Sequence, residues 1–177
     1  LEEIIEVLRE GNGYNPDEIT ITFQEGINMR KVASIIEQNT NNTQDDVFNL
    51  IKDEKYLDSI IKEYWFLTDE IKNKKIYYSL EGYLLPDTYM LENDEVDVKT
   101  IFGVLLNHME KFLEPYREKI ENKFTVHEIL TLASIAEREA KSTEDRKEVI
   151  GVFLNRISKG MNLGSDVTTY YAFKVDM

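Results

Sequence analysis

Only two segments of the chain have the residue pattern of a β-strand, and a long stretch of helical pattern separates them. The first segment, residues 19–23, alternates and is rich in β-branched side chains. The second segment, residues 83–91, contains Pro86, which suits an edge strand or a bend. Because these are the only two clear strands, we expect them to pair with each other across the intervening helices. The pattern predicts an α+β fold.

Helical patterns account for most of the remaining sequence. Thr43 is a predicted N-cap, and Thr125 opens a segment with the form of a capping box. An acidic connector at residues 93–95 divides the chain into a first part that holds both strands, residues 1–92, and a helical second part, residues 93–177. The predicted helices cover residues 1–9, 29–38, 43–51, 56–66, 98–118, 125–140 and 142–158.

Composition excludes several classes of function. The net charge of −13 argues against nucleic acid and against an anionic lipid surface as binding partners. The chain has no cysteine, which excludes disulfides, thiol catalysis and cysteine-ligated metal sites. His108 and His127 lie on different predicted helices and form no zinc motif, so both are expected to be surface or helix-end residues. We therefore predict no bound metal.

The sequence shows neither a membrane-spanning pattern nor a signal peptide. No run of about 18 apolar residues occurs, which is the length that a membrane-spanning helix needs. The chain begins at Leu1 within a charged helical pattern. We therefore expect this sequence to be a fragment from which any membrane anchor has been removed.

Glu137 is the strongest candidate for a catalytic side chain. At about 100° per residue, its helix gathers apolar side chains on one face, and Glu137 falls within roughly 60° of the centre of that face. A carboxylate that faces the core loses hydration, which favours the protonated acid, and a protonated carboxyl group can act as a general acid. The alternative is that Glu137 lies at the edge of the face and pairs with a basic side chain. The apolar face comprises Val126, Ile129, Leu130, Ala133, Ala136 and Ala140.

Aromatic side chains concentrate at residues 64–66 and 77–78. Aromatic rings can stack on the faces of sugars, but clusters of this kind also build hydrophobic cores and interfaces. Because such clusters more often belong to a core or an interface, we expect that role here.

Three segments carry a more specific signal. Residues 80–89 read LEGYLLPDTY and are similar to the block EGYLFPDTY, while residues 132–139 read LASIAERE and are similar to the block LASIVEKE. Residues 151–168 contain GVFLNRI, GMNL and SDVT, and are similar to the block VFxNRLxxGMxLQSDPT. In this order and spacing the blocks resemble the MltG/YceG-like family of endolytic murein transglycosylases. The resemblance covers residues 18–172.

The resemblance implies a small LysM-like part followed by a mainly helical catalytic part. It implies an enzyme outside the cytoplasmic membrane, held by a single N-terminal anchor that is absent from this chain. The implied reaction cleaves the β-1,4 bond between N-acetylmuramic acid and N-acetylglucosamine in peptidoglycan strands and leaves 1,6-anhydro-N-acetylmuramic acid ends. Cell-wall synthases are implied as partners, and neither a metal nor an organic cofactor is required.

The resemblance also assigns individual residues. The catalytic glutamate of the family maps onto Glu137, and Glu81, Asn155 and Asp166 belong to the matched blocks and are expected to support catalysis or bind substrate. Glu81 could instead cap a turn, and Asn155 could simply face solvent. A hydrolase that uses Glu137 together with Asp166 or Glu81 as a second carboxyl group is one alternative function.

The sequence departs from the family pattern in three places. Residues 166–168 lack the proline of the family's DPT, Gly164 stands where a glutamine is frequent, and the chain stops at Met177 before the family's GLPPGPI region. The catalytic part is therefore expected to be incomplete at its C-terminus. A peptidoglycan-binding module without activity is the second alternative function. Residues 25–26 also resemble the family's PEG turn.

Overall fold

The two predicted strands pair with each other. In the computed structural model, which describes residues 15–121 and 124–173, β1 (Ile19–Thr22) and β2 (Thr88–Leu91) form a two-stranded antiparallel sheet. The predicted pairing is confirmed. The second strand is shorter than predicted, and Pro86 lies before it, where its missing N–H does not interrupt the ladder.

One face of the sheet is buried and the other is exposed. Ile21, Tyr89 and Leu91 point into the core. Thr22 and Thr88 lie opposite each other on the exposed face, where their hydroxyl oxygens are 2.9 Å apart. This alternation follows from the two-residue period of a strand, and it leaves the core on one side of the sheet only.

The helices between the strands begin at side chains that cap their N-termini. Asn28, Thr43 and Asp53 each accept a hydrogen bond from a backbone N–H in the first turn of the helix that follows. The N-cap predicted at Thr43 is confirmed. The elements are α1 (Met29–Asn39), α2 (Gln44–Leu50), α3 (Glu54–Glu63) and a short 3-10 helix (Asp69–Lys72).

The rest of the chain is helical, as predicted, but the long helix expected over residues 98–118 is broken. Pro115 lacks a backbone N–H, and a 3-10 turn replaces the α-helix around it. The helix predicted at residues 1–9 lies outside the described residues. No helix in the described part of the chain is both long and apolar enough to cross a membrane. The elements are α4 (Val98–Leu113), a 3-10 helix (Glu114–Tyr116), α5 (Arg117–Glu121), α6 (Val126–Glu139), α7 (Thr143–Ser158) and α8 (Asp166–Ala172).

One hydrophobic core joins the sheet to the first helices. It runs from β1 through α4 and reaches Val126 at the start of α6. The core is therefore continuous across residue 93, and the division into residues 1–92 and 93–177 stays a prediction. Farther along, Ile135, Ala136 and Phe153 are buried outside this core, between α6 and its neighbours. Members of the main core with the least exposure include Ile36, Phe66, Leu80, Tyr83, Phe102 and Leu105.

The aromatic side chains at residues 64–66 belong to this core. Tyr64 and Phe66 are buried with ring centroids 5.6 Å apart, and Phe66 stacks on Tyr83 at 6.5 Å. Tyr77 differs, because 39% of it is exposed and its ring lies 5.3 Å from the ring of Tyr171 on α8. The core interpretation is therefore correct for residues 64–66, while Tyr77 lies at the surface.

Buried tyrosines predict a loss of stability at alkaline pH. Burial raises the pKa of Tyr64 to about 12 and that of Tyr89 to about 12, while the unfolded chain titrates near pH 10. Since the folded-state pKa is the higher one, this stabilising contribution is complete below about pH 10 and is lost as pH rises toward 12. Denaturant unfolding at pH 8, 10 and 11 should show a falling free energy of unfolding.

A matched pair of variants checks this assignment. Tyr89→Phe should reduce the steepness of the alkaline decline, because the phenol that must ionise on unfolding is gone. Tyr116→Phe should leave the decline unchanged, because Tyr116 is 50% exposed. A free energy of unfolding that stays constant from pH 8 to pH 11 in the parent protein would contradict the prediction.

Candidate active site

Glu137 lies where helix α6 meets the turn after β1. A Cβ built on Gly26 in this turn would lie 3.6 Å from Oε2 of Glu137 and 4.0 Å from Nη1 of Arg138. Gly26 has a φ of +71°, a conformation that glycine adopts without steric cost. Glu137 is half-buried. The candidate acid therefore sits between the strand-bearing part of the chain and the helical part.

The buried face of α6 differs from the predicted one. Val126 and Ala136 are buried as expected, but Ala133 is exposed and Ile135, which was not assigned to the face, is buried. The difference arises because α6 packs against both α7 and α8, so its surroundings are not those of a helix with one core-facing stripe. Glu137 is consequently at the border of the buried surface and is only partly shielded from solvent.

Glu81 links three elements. One of its carboxylate oxygens accepts a hydrogen bond from the backbone N–H of Met29 at 2.8 Å, and the other accepts one from the hydroxyl of Tyr171 on α8. The N–H of Met29 is in the first turn of α1 and has no partner within the helix, and a carboxylate is favourable there because of the helix dipole. The structure thus shows Glu81 in a capping role and brings it to residues 26–29, the same segment that Glu137 reaches.

A contact at the other end of α6 was not anticipated. Tyr83 is buried, and its hydroxyl lies 2.9 Å from Nδ1 of His127, with the two rings nearly parallel. His127 is in the first turn of α6, so its prediction as a helix-end histidine is confirmed, but it is half-buried and paired. No local pattern reveals this pair, because its members are 44 positions apart in the chain.

Comparisons with known proteins identify the family of the chain. The model of the YceG-like family matches residues 1–176. The chain belongs to the YceG-like family. A protein from Bacillus subtilis (strain 168) named endolytic murein transglycosylase is 33% identical over 97% of this chain, and one of the same name from Streptococcus pneumoniae serotype 2 is 32% identical. A crystal structure of a YceG-like protein from Listeria monocytogenes covers 99% of the chain with a TM-score of 0.84 and 30% identity.

This YceG-like chain spans only part of the length of its relatives. It covers 48% of the Bacillus protein, 33% of the Streptococcus protein and 58% of the Listeria structure. The family and its fold are therefore established over the length of this chain. The activity of the whole protein rests on a further argument from the site.

The other two predicted site residues lie on different helices. Asn155 is exposed on α7, and Asp166 is exposed at the first position of α8. The contacts of the described residues join neither side chain to Glu137. The hydroxyl of Ser165, just before α8, donates a hydrogen bond to Glu139 at the end of α6. This bond positions α8 and with it Asp166.

The loop between α7 and α8 explains why this YceG-like chain has glycine at position 164. Nη1 of Arg156 donates a hydrogen bond to the backbone oxygen of Leu163 at 2.7 Å. A Cβ built on Gly164 would lie only 2.2 Å from that nitrogen, and Gly164 has a φ of +68°. A glutamine at position 164 would therefore have to displace the side chain of Arg156. Its backbone would also have to adopt a conformation that favours glycine.

The junction at Glu81 can be tested by a double-mutant cycle. Glu81→Ala should lower the free energy of unfolding by about 1–3 kcal/mol, because it removes a helix cap and leaves the Tyr171 hydroxyl without its acceptor. Tyr171→Phe should cost about 0.5–1.5 kcal/mol in the parent protein, and less once Glu81 is absent. Denaturant unfolding of the three variants measures both effects.

Tyr170→Phe provides the control, because Tyr170 neighbours Tyr171 in the chain and is 45% exposed. It should change the free energy of unfolding by less than about 0.5 kcal/mol. Strictly additive effects of the Glu81 and Tyr171 substitutions would show that their hydrogen bond contributes nothing to the coupling of these elements.

Proposed function

We propose that the protein is an endolytic lytic transglycosylase that cleaves peptidoglycan strands and that Glu137 is its catalytic acid. The observation that supports this most directly is the placement of Glu137, which is half-buried on α6 and lies beside the turn of Gly26. The names of its relatives, which are endolytic murein transglycosylases at about one-third identity, support the same substrate class.

One carboxyl group is sufficient for this reaction. The protonated carboxyl of Glu137 donates its proton to the glycosidic oxygen as the bond from C1 of N-acetylmuramic acid to that oxygen breaks. The 6-hydroxyl of the same sugar attacks C1, and the carboxylate of Glu137 accepts the proton that this hydroxyl releases. The products are a 1,6-anhydro-N-acetylmuramic acid end and a new N-acetylglucosamine end. The attacking hydroxyl belongs to the substrate, so it has a high effective concentration at C1.

The supporting residues are proposed with different roles. Glu81 acts through the segment that it holds, because its two oxygens already accept hydrogen bonds from Met29 and Tyr171. That engagement disfavours Glu81 as the second carboxyl group of a hydrolase, which has to activate water or attack carbon. Asn155 and Asp166 are exposed and are proposed to contact the glycan strand.

The proposed substrate also implies where in the cell the protein acts. Cleavage of peptidoglycan requires the domain to lie on the extracytoplasmic side of the membrane, where this polymer is found. We propose that a single N-terminal membrane span holds it there and that cell-wall synthases are its partners. The relatives named murein transglycosylases support the substrate, and the span and the synthases rest on the family resemblance.

The central test is Glu137→Gln in the protein at its full natural length. Glutamine keeps the size of the side chain but has no carboxyl proton to donate, so cleavage should fall by about 10²–10⁴-fold while the melting temperature stays within a few degrees. Mass spectrometry of digested peptidoglycan identifies the products. The parent protein should produce anhydro ends, whereas a hydrolase would produce reducing ends and a binding module would produce neither.

Glu148→Gln is the matched control, because Glu148 is exposed on α7. Glu139 is a poorer control, since its carboxylate accepts the hydrogen bond from Ser165 that positions α8. Glu148→Gln should cleave at the parental rate. Parental cleavage by Glu137→Gln, or an equal loss in both variants, would contradict the role of Glu137.

We also predict that cleavage does not depend on a metal. The chain has no cysteine. Its two histidines lie on different helices, α4 and α6, so they do not form a zinc-binding motif within one helix. Cleavage by the protein should therefore be unchanged after dialysis against a chelator. A loss of activity that is restored by adding a divalent cation would overturn this prediction.

A further inference from the structure

We propose that Gly26 is a positioning residue of the active site, because its lack of a side chain leaves free the space beside its turn in which the carboxyl group of Glu137 lies. The proposal rests on the proposed role of Glu137 and extends it, because it makes the strand-bearing part of the chain a component of the catalytic centre. Gly26 is named a positioning residue because it acts through Glu137 and not on the substrate.

The first support is the distance between the turn and the carboxyl group. The position that a Cβ on Gly26 would take lies 3.6 Å from Oε2 and 3.9 Å from Cδ of Glu137. This is ordinary van der Waals contact, so a single methyl group would just fill the space between them. Any atom beyond the Cβ that points the same way has to move the carboxyl group of Glu137 or be moved by it.

The second support is that the turn is fixed on both sides. Before the turn, the backbone N–H of Phe23 donates to the oxygen of Asp87 at 2.9 Å and so extends the pairing of the two strands. After the turn, Asn28 caps α1, and Glu81 accepts the hydrogen bond from Met29. Because the turn is held at both ends, a larger side chain at position 26 would displace the carboxyl group of Glu137 and not the turn.

The third support is that α6 is anchored to the strand-bearing part near the start of the helix. There, His127 pairs with Tyr83, which lies five positions before β2. Glu137 is ten positions farther along α6, about 15 Å along the helix axis, and its carboxyl group lies beside Gly26. Because the Tyr83–His127 contact limits movement of α6 along its axis, the strand-bearing part sets the position from which the side chain of Glu137 extends.

A second glycine, Gly160, provides a control that distinguishes this role of Gly26 from the need for a residue that tolerates positive φ. Gly160, at the end of α7, has a φ of +64°, close to the +71° of Gly26, but a Cβ at Gly160 would meet no atom within 4 Å. Asparagine is the residue other than glycine that best tolerates this conformation. Gly26→Asn and Gly160→Asn therefore impose similar backbone strain, and only the first adds atoms beside Glu137.

The experiment measures kinetics and the environment of Glu137 in both variants, using the protein at its full natural length. With soluble glycan strands of defined length, Gly26→Asn should lower kcat by about 10- to 100-fold and change KM by less than about twofold, because misplacement of the acid affects the reaction more than binding. Gly160→Asn should keep both constants near parental values. Thermal melts should show losses of similar size in the two variants.

A measurement made without substrate, the NMR signal of Glu137, tests the role of Gly26 independently of the proposed function. The carboxyl carbon of Glu137 can be assigned by carbon-13 NMR from the signal that disappears in Glu137→Gln. This signal should move in Gly26→Asn and stay in place in Gly160→Asn. A signal that stays in place in both variants, or moves equally in both, overturns the role of Gly26 even if cleavage falls. A signal that moves only in Gly26→Asn supports it even if the products prove not to be anhydro sugars.

Discussion

The pairing of β1 with β2 is the interaction on which the rest of the structure depends. It joins residues 19–22 to residues 88–91 and closes a loop that contains α1, α2 and α3. The entropic cost of closing a loop rises slowly with its length, by about 0.6 kcal/mol for each doubling. Burial of Ile21, Tyr89 and Leu91 beneath the sheet opposes that cost. Once the strands pair, the turn after β1 and the segment before β2 are neighbours.

The two carboxylates at the candidate site have different surroundings. Glu81 comes from the segment before β2, and its oxygens are used to hold the start of α1 and the hydroxyl of Tyr171. Glu137 comes from α6, and its carboxyl group lies beside the same turn, 3.6 Å from the position that a Cβ on Gly26 would take. A carboxylate that stabilises a helix N-terminus works best when it is ionised, whereas a general acid has to carry a proton. The carboxylate with the structural role is therefore a different residue from the one proposed as the catalytic acid.

Contacts between distant segments also determine the position of the last helix. Helix α8 has seven residues, too few to be stable alone. It is held through Ser165 on Glu139, through Tyr171 on Glu81, and through the hydrogen bond from the Tyr77 hydroxyl to the backbone of Ala172 at 2.6 Å. The exposed tyrosines of this region are thus part of the link between α8 and the strand-bearing part.

The sequence by itself determined the α+β class and the caps at Thr43 and Thr125, because these depend on local periodicity and on side chains next to the backbone groups that they satisfy. It also determined the pairing of the strands, because only two segments have a strand pattern and each needs a partner. It also singled out Glu137, both from its helix face and from the matched blocks. Only the tertiary structure decided that Ala133 is exposed, that His127 pairs with Tyr83, and that Gly26 lies beside the carboxyl group of Glu137. The physical reason is that these contacts join residues far apart in the chain. Their existence depends on how helices pack, which the pattern within any one segment does not contain.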